Sequence, residues 1–169
     1  MRRLVAAAWW RNLDLPRILR YKQVVNNLAG KILVLVGGTS GLGGSAARAC
    51  VAAGAKVVIV GRQADKVAAT LSELGGSAAG LTADAARPAT AEEAVQLALK
   101  KFGGFHGLYH VAGGSGRRRG DGPFHEITDQ GWHYTLEQNL TSLFYSNRAA
   151  ARLNRVASRK QIPISSSYQ

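Results

Sequence analysis

The 169-residue sequence has one cysteine, one methionine and four prolines, and only ten acidic residues against 22 basic ones. A single thiol, Cys50, excludes an internal disulfide framework and any multi-cysteine zinc site, and it fits a reducing, cytoplasmic setting. No metal site is assigned. Set among alanines, Cys50 reads as a small buried hydrophobe in a helix rather than a reactive thiol. No apolar run reaches the roughly 18 residues that a membrane-spanning helix needs. Aromatic residues are only 7% of the chain. Beyond Trp9 and Trp10 few are interleaved with the basic clusters, and no nucleic-acid reading motif is present, so nucleic acid is a poor candidate partner.

The formal net charge of +12 is unevenly spread. Arg2, Arg3, Arg11, Arg17, Arg20, Lys22 and Lys31 face only Asp14 in the first 31 residues, and Arg148, Arg152, Arg155, Arg159 and Lys160 face no acid at the other end. Between them the signs nearly balance, so the basicity belongs to the two ends and not to the central domain. Hydrophobic residues at 46% and charged residues at 19% are ordinary for a globular domain, and the length suits one.

Three segments follow from the pattern: a basic arm or short helix over 1–30, a domain over 31–152, and a basic, irregular tail over 153–169. The Arg-rich arm leaves organelle targeting open as an alternative to the cytoplasm, although it lacks the serine enrichment of a transit sequence. In the domain, Ile32-Leu33-Val34-Leu35-Val36 and Lys56-Val57-Val58-Ile59-Val60 are strands buried on both faces. A weaker strand occupies about 78–83, and Leu108-Tyr109-His110-Val111-Ala112 is a fourth. Helices alternate with them. One runs through Ala46–Val51 and closes at Gly54, and another carries Val67, Leu71 and Leu74 on one face. A third is opened by the Thr90-Ala91-Glu92-Glu93 capping box, with Ala94, Val95, Ala98, Leu99 and Phe102 facing inward. A longer helix runs from about Asp129 past Phe144, its apolar stripe being Trp132, Leu136, Leu140, Leu143 and Phe144. Such alternation predicts βαβ units: an α/β, Rossmann-type doubly wound parallel sheet, incomplete at four to five strands in the order 3-2-1-4.

Gly37-Gly38-Thr39-Ser40-Gly41-Leu42-Gly43 stands between the first strand and its helix, the context in which a glycine turn binds phosphate. Gly37 allows a tight reversal off the strand. Gly41 and Gly43 clear the approach of pyrophosphate and of strand to helix. Free amides and the positive end of the helix dipole then hold the phosphates.

The Gly-x-x-x-Gly-x-Gly spacing resembles that of the short-chain dehydrogenase/reductase family, over about residues 28–150. The resemblance implies dinucleotide binding by Gly37, Thr39, Ser40, Gly41, Leu42 and Gly43, an adenine contact at Asp84 and Ala85, and a close cofactor approach at Ala112 and Gly113. It also implies that Asn139 is the active-site asparagine of a water-borne proton relay. His110-Val111-Ala112-Gly113 stands where the family has Asn-Asn-Ala-Gly, and His106 where many members have Asp. After the second strand an acidic residue would select NAD(H). Gly61-Arg62 stands there instead, and a guanidinium suits the 2′-phosphate of NADP(H). Arg117-Arg118-Arg119, in the loop after the fourth strand, is a solvated charge run or a contact for an anionic substrate.

The family's Tyr-x-x-x-Lys pair is expected to be absent, for the residues four beyond Tyr21, Tyr109, Tyr134 and Tyr145 are Val25, Gly113, Gln138 and Ala149, and Tyr168 is the penultimate residue. Ile162-Pro163-Ile164-Ser165-Ser166-Ser167 is similar to the strand that bears the family serine, but Pro163 speaks against a central strand. The expectation is a C-terminally shortened NADP(H)-binding oxidoreductase, acting on an unidentified carbonyl or secondary alcohol. The alternative is a catalytically silent NADP(H)-binding or subunit-pairing module. An open apolar edge at the fourth strand would allow a homo-oligomer.

Overall fold

The computed structural model describes residues 27–160, with side chains described through Leu153. The expected basic arm therefore lies almost wholly outside the described residues, as does the Ile162–Ser167 segment.

Strands β1 (Ile32–Val36), β2 (Lys56–Gly61), β3 (Ala78–Thr82) and β4 (Gly107–His110) form one parallel sheet in the order β3-β2-β1-β4. The register pairs Val34 with Val58 and Leu108, so the two long apolar strands occupy the centre. Alternate side chains of these strands serve two cores. Ile32, Val34, Val36, Val58 and Val60 pack with Ala94, Val95 and Ala98 of α3 (Thr90–Phe102) on one face. On the other, Leu35, Val57 and Ile59 pack with Ala47 of α1 (Gly41–Ala52), and Leu71 and Leu74 of α2 (Ala64–Leu74) lean on them. A run apolar at every position is what burial on both faces requires. The expected fold class and strand order are thus found.

Among the described residues β4 pairs with β1 alone, and Tyr109 on it is 46% exposed. His106 sits just before β4. Its backbone N–H donates to Ile32 O at 2.8 Å and its Nδ1 accepts the Ile32 amide at 3.1 Å. The imidazole is thus an acceptor at the start of β1.

Three helix expectations are corrected. Thr90 does not cap α3: the cap position is Ala89 with no side-chain bond, and the Thr90 hydroxyl donates to Asp84 O at 2.6 Å. Glu93 pairs with Arg87 instead of closing a capping box. Leu99 is 38% exposed, because Ala91, Ala94, Val95 and Ala98 fill the face that meets the sheet and leave Leu99 at its flank.

The third correction is larger. The single long helix is α4 (Asp129–Leu136), a π-helical turn (Glu137–Thr141) and α5 (Ser142–Lys160). Trp132, Leu140, Leu143 and Phe144 of the expected stripe point largely to solvent. Gly131, Ser142, Ser146 and Ala149 are buried in their place. A π turn takes up an extra residue and rotates all that follows, which defeats a fixed 3.6-residue phase. Close packing also selects small residues: a Cβ on Gly131 would collide with the backbone of Gly120 and Asp121. Helix α5 reaches Lys160, into the segment expected to be irregular, since no glycine or proline interrupts it before Pro163.

Candidate functional site

The chain reverses off β1 at Gly37, whose φ of +94° suits only glycine. Its amide and that of Gly38 both donate to Val60 O, at 2.9 and 3.1 Å, which ties the turn to β2. A Cβ on Gly37 would lie 2.6 Å from Ala112 N, and one on Gly43 would overlap Gly37 O and lie 2.7 Å from Val111 Cγ1. These two glycines let β1, α1 and the end of β4 close on one another. Gly41 differs. At φ +51° it has nothing within 4 Å of an added Cβ, so the absent side chain leaves open space above the helix start.

Helix α1 begins there without a side-chain cap at Ser40 and with no acidic residue in its first turn. Its first intrahelical amide bond is Gly44 N to Ser40 O at 3.0 Å. The preceding amides of the first turn therefore point outward as free donors at the positive end of the helix dipole.

These donors open into a cavity of about 300 Å³ at the C-terminal ends of the strands. Gly37, Thr39, Ser40, Leu42 and Gly43 form one wall, and Leu42 stands 76% exposed at its mouth. Arg62, Asp84 and Ala85 come from the ends of β2 and β3, and Ala112 and Gly113 from the loop after β4. Ten of the twelve residues singled out from the sequence thus meet on one cavity. Gly41 and Asn139, both exposed, are not among the residues that line it.

Val60, Gly61, Val111 and Gln138 also line the cavity, and the sequence had not pointed to them as site residues. A Cβ on Gly61 would lie 2.5 Å from Thr39 Cγ2, so glycine there makes room for the Thr39 side chain against β2. Gln138 gave no signal, because its place depends on the π turn.

Arg62 is exposed and makes one long contact, from Nη1 to Gln138 Oε1 at 3.5 Å, which leaves most of its donors free. Asp84 is half committed. One carboxylate oxygen accepts the Ala86 amide at 2.9 Å in a local turn. Asn139 is a clamp: its Nδ2 donates to Gly114 O at 2.8 Å and Thr135 O at 2.9 Å, and its Oδ1 accepts Gly114 N at 3.1 Å. A Cβ on Gly113 would lie 2.6 Å from that Oδ1. The asparagine thereby holds the loop after β4 against the π turn, and π turns recur at functional sites.

Below this wall the His110 imidazole lies between two buried serines, Nδ1 2.8 Å from Ser146 Oγ and Nε2 3.3 Å from Ser142 Oγ. The Ser142 hydroxyl donates to Gln138 O at 2.7 Å, so it accepts from Nε2–H, and Nδ1 then accepts from Ser146. That pattern satisfies a neutral ring. Burial pushes the His110 imidazole below its ordinary value, against a smaller opposing influence of the Ala112 backbone.

Comparison with known proteins agrees with this fold. A description of the short chain dehydrogenase family matches residues 31–167. The chain is 34% identical over 130 residues to 2,5-dichloro-2,5-cyclohexadiene-1,4-diol dehydrogenase LinX of Sphingobium indicum, covering 75% of this chain and 50% of that protein. It is likewise 34% identical over 135 residues to a 3-alpha-(or 20-beta)-hydroxysteroid dehydrogenase of Mycobacterium bovis, covering 80% and 50%. A crystal structure of a short-chain dehydrogenase/reductase, a glucose/ribitol dehydrogenase from Brucella melitensis, superposes with a TM-score of 0.66 at 31% identity, covering 73% of this chain and 50% of that one. The protein belongs to the short chain dehydrogenase family. It spans about half the length of the curated relatives it matches.

Proposed function

We propose that the chain binds NADP(H) in the cavity at the C-terminal ends of β1, β2 and β3, as the cofactor-holding part of a hydride-transferring oxidoreductase. The observation that carries this is the Gly37–Gly43 turn. Its uncapped helix start offers free amides, Gly41 leaves space above them, and Gly37 and Gly43 draw β1, α1 and β4 together. The amides of the first turn would hold the pyrophosphate, and Leu42 at the cavity mouth would cover the adjoining ribose. Asp84 and Ala85 would flank the adenine, and Ala112 and Gly113 would let the dinucleotide run along β4 toward the nicotinamide. When bound, that cofactor supplies the hydride exchanged with a carbonyl or secondary alcohol.

Arg62 sets the cofactor preference. Its free donors at the end of β2 suit a 2′-phosphate, where a carboxylate would repel it. Asn139 keeps the loop beneath the nicotinamide end in place and would take part in a water-borne proton relay.

A second reading rests on one fact of the sequence: Tyr21, Tyr109, Tyr134 and Tyr145 are not followed by lysine four positions on. On that reading the 169-residue chain binds NADP(H) without turnover, as a sensor or a subunit. Titration of NADPH and NADH by fluorescence tests the binding claim. NADPH should bind at least about tenfold more tightly than NADH, and Arg62→Asp should reverse the order. An unchanged preference in that variant would refute the role of Arg62. Brisk carbonyl reduction by the purified chain would eliminate the silent reading, and binding without reduction would establish it.

A further inference from the structure

The loop after β4 carries three arginines whose display is more ordered than a solvated charge run requires. Arg117–Arg119 form a single 3-10 turn ended by Gly120 at φ +89°. The turn is fastened at both sides. Asp121 Oδ2 accepts the Gly116 amide at 3.3 Å and the Thr135 hydroxyl at 3.0 Å, and the Thr128 hydroxyl donates to Arg119 O at 3.2 Å. Side chains at Gly116 and Gly120 would collide with Thr135 and Thr128, so the loop lies directly on α4 and its N-terminal cap. The Arg119 guanidinium stacks 5.5 Å from the Tyr134 ring centre. Among the described residues no carboxylate forms an ion pair with any of the three arginines.

Arg117 and Ser115 line a second, open cavity of about 650 Å³ together with Asp121, Gly122 and Pro123. Ser115 Oγ already accepts the Arg117 amide at 3.2 Å, so its hydroxyl proton is free to be donated elsewhere. Asp121 is the only acid on this wall, and its Oδ2 is occupied by the loop itself. Ser115 lies two residues beyond Gly113 of the first cavity, so one short loop borders both.

We infer that the Arg117 guanidinium and the Ser115 hydroxyl form an oxyanion subsite for an acidic group of the substrate, a carboxylate or a phosphate. The inference rests on the dinucleotide reading of the first cavity, whose own phosphates are served by the glycine turn and Arg62. The tethered turn fixes where the Arg117 backbone stands, its unpaired guanidinium offers charge-assisted donors, and an O–H donor beside it gives the contact direction. The substrate class is thus a carbonyl compound or alcohol that carries a negative charge.

The test uses the 169-residue chain saturated with NADPH and two probes sharing one ketone, acetoacetate and methyl acetoacetate. Binding is read by saturation-transfer NMR at low salt. Acetoacetate should bind about three- to tenfold more tightly than its neutral ester, and the ratio should fall as salt screens the contact. Inorganic phosphate should displace acetoacetate. Arg117→Gln should bring the ratio to about one, Ser115→Ala should lower it, and Lys100→Gln, which removes a charge from α3, should leave it alone. NADPH affinity should be unchanged in all three variants, which also shows that they fold. Equal binding of the two probes would overturn the subsite, as would an acid preference surviving Arg117→Gln. Failure of both probes to bind would overturn it too. Any of these results with NADPH still bound leaves the dinucleotide reading intact, whereas failure of NADPH to bind removes that reading first.

Discussion

Replacing Gly37 by alanine and, separately, Gly41 by alanine should separate closure of the fold from reception of the ligand. Both glycines have positive φ, +94° and +51°, so an alanine at either bears a conformational cost of about 1–2 kcal/mol. Only Gly37 adds a collision. Its Cβ would stand 2.6 Å from Ala112 N and 2.9 Å from Ala112 Cα, both backbone atoms fixed by the bonds of Val111 and Ala112 to Val36 O. Overpacking against such a wall costs about 1–3 kcal/mol more. Gly37→Ala should therefore lose about 2–5 kcal/mol, a large share of a domain's stability and a drop in Tm of roughly 6–15 °C. Gly41→Ala should cost only that conformational term of about 1–2 kcal/mol, since its Cβ enters open space. That space is where a pyrophosphate must approach the free amides, so Gly41→Ala should weaken NADPH binding by about tenfold or more. Urea unfolding followed by circular dichroism, beside an NADPH titration, reads both quantities. The reasoning is refuted if Gly37→Ala is as stable as the parent, or if Gly41→Ala binds NADPH unchanged.

Three further outcomes follow from other parts of the site. The His110 pKa is depressed by burial, so the unfolded chain takes up a proton there more readily than the folded one. The neutral ring therefore contributes stability that is present above its ordinary pKa of about 6.5 and lost as pH falls through the lower folded value. The Tm should drop more steeply between about pH 7 and 5 in the parent than in His110→Asn, and parallel curves would disprove this. Asn139→Ala removes three hydrogen bonds that tether Gly114 and Thr135, and should destabilise the chain by about 1–3 kcal/mol. Faster amide exchange over 113–116 should accompany that loss, and unaltered exchange would show that the clamp is not needed. Burial raises the Cys50 thiol pKa, so an aromatic disulfide reagent should label it slowly in the native chain and rapidly in urea. Equal rates would place Cys50 at the surface.

The sequence foretold the sheet because its central strands are apolar at every position, from Ile32 to Val36 and from Val57 to Val60, and because each is followed by a helix. The glycine turn was legible for the same local reason: a strand, Gly37, Gly41 and Gly43, then a helix of small residues. What stayed hidden depended on contacts between distant segments. Thr90 carries the residue types of a capping box, yet its hydroxyl is taken by Asp84 O. The leucine and aromatic stripe from Trp132 to Phe144 has helical spacing, yet the π turn and the close fit of Gly131 against Gly120 give the inner face to small residues. Gln138 reaches the cavity through that same turn. His106, expected to depart from the family's pattern, serves as an acceptor for the Ile32 amide, a contact that spacing alone did not reveal.

The central claim is that the Gly37–Gly43 turn holds a dinucleotide, and amide chemical-shift mapping on adding NADPH tests it most directly. The largest shifts should fall on Gly41, Leu42 and Gly43, with further shifts at Arg62, Asp84, Ala112 and Gly113. Unmoved turn amides at saturating NADPH, or shifts confined to the face bearing Trp132 and Phe144, would contradict the account.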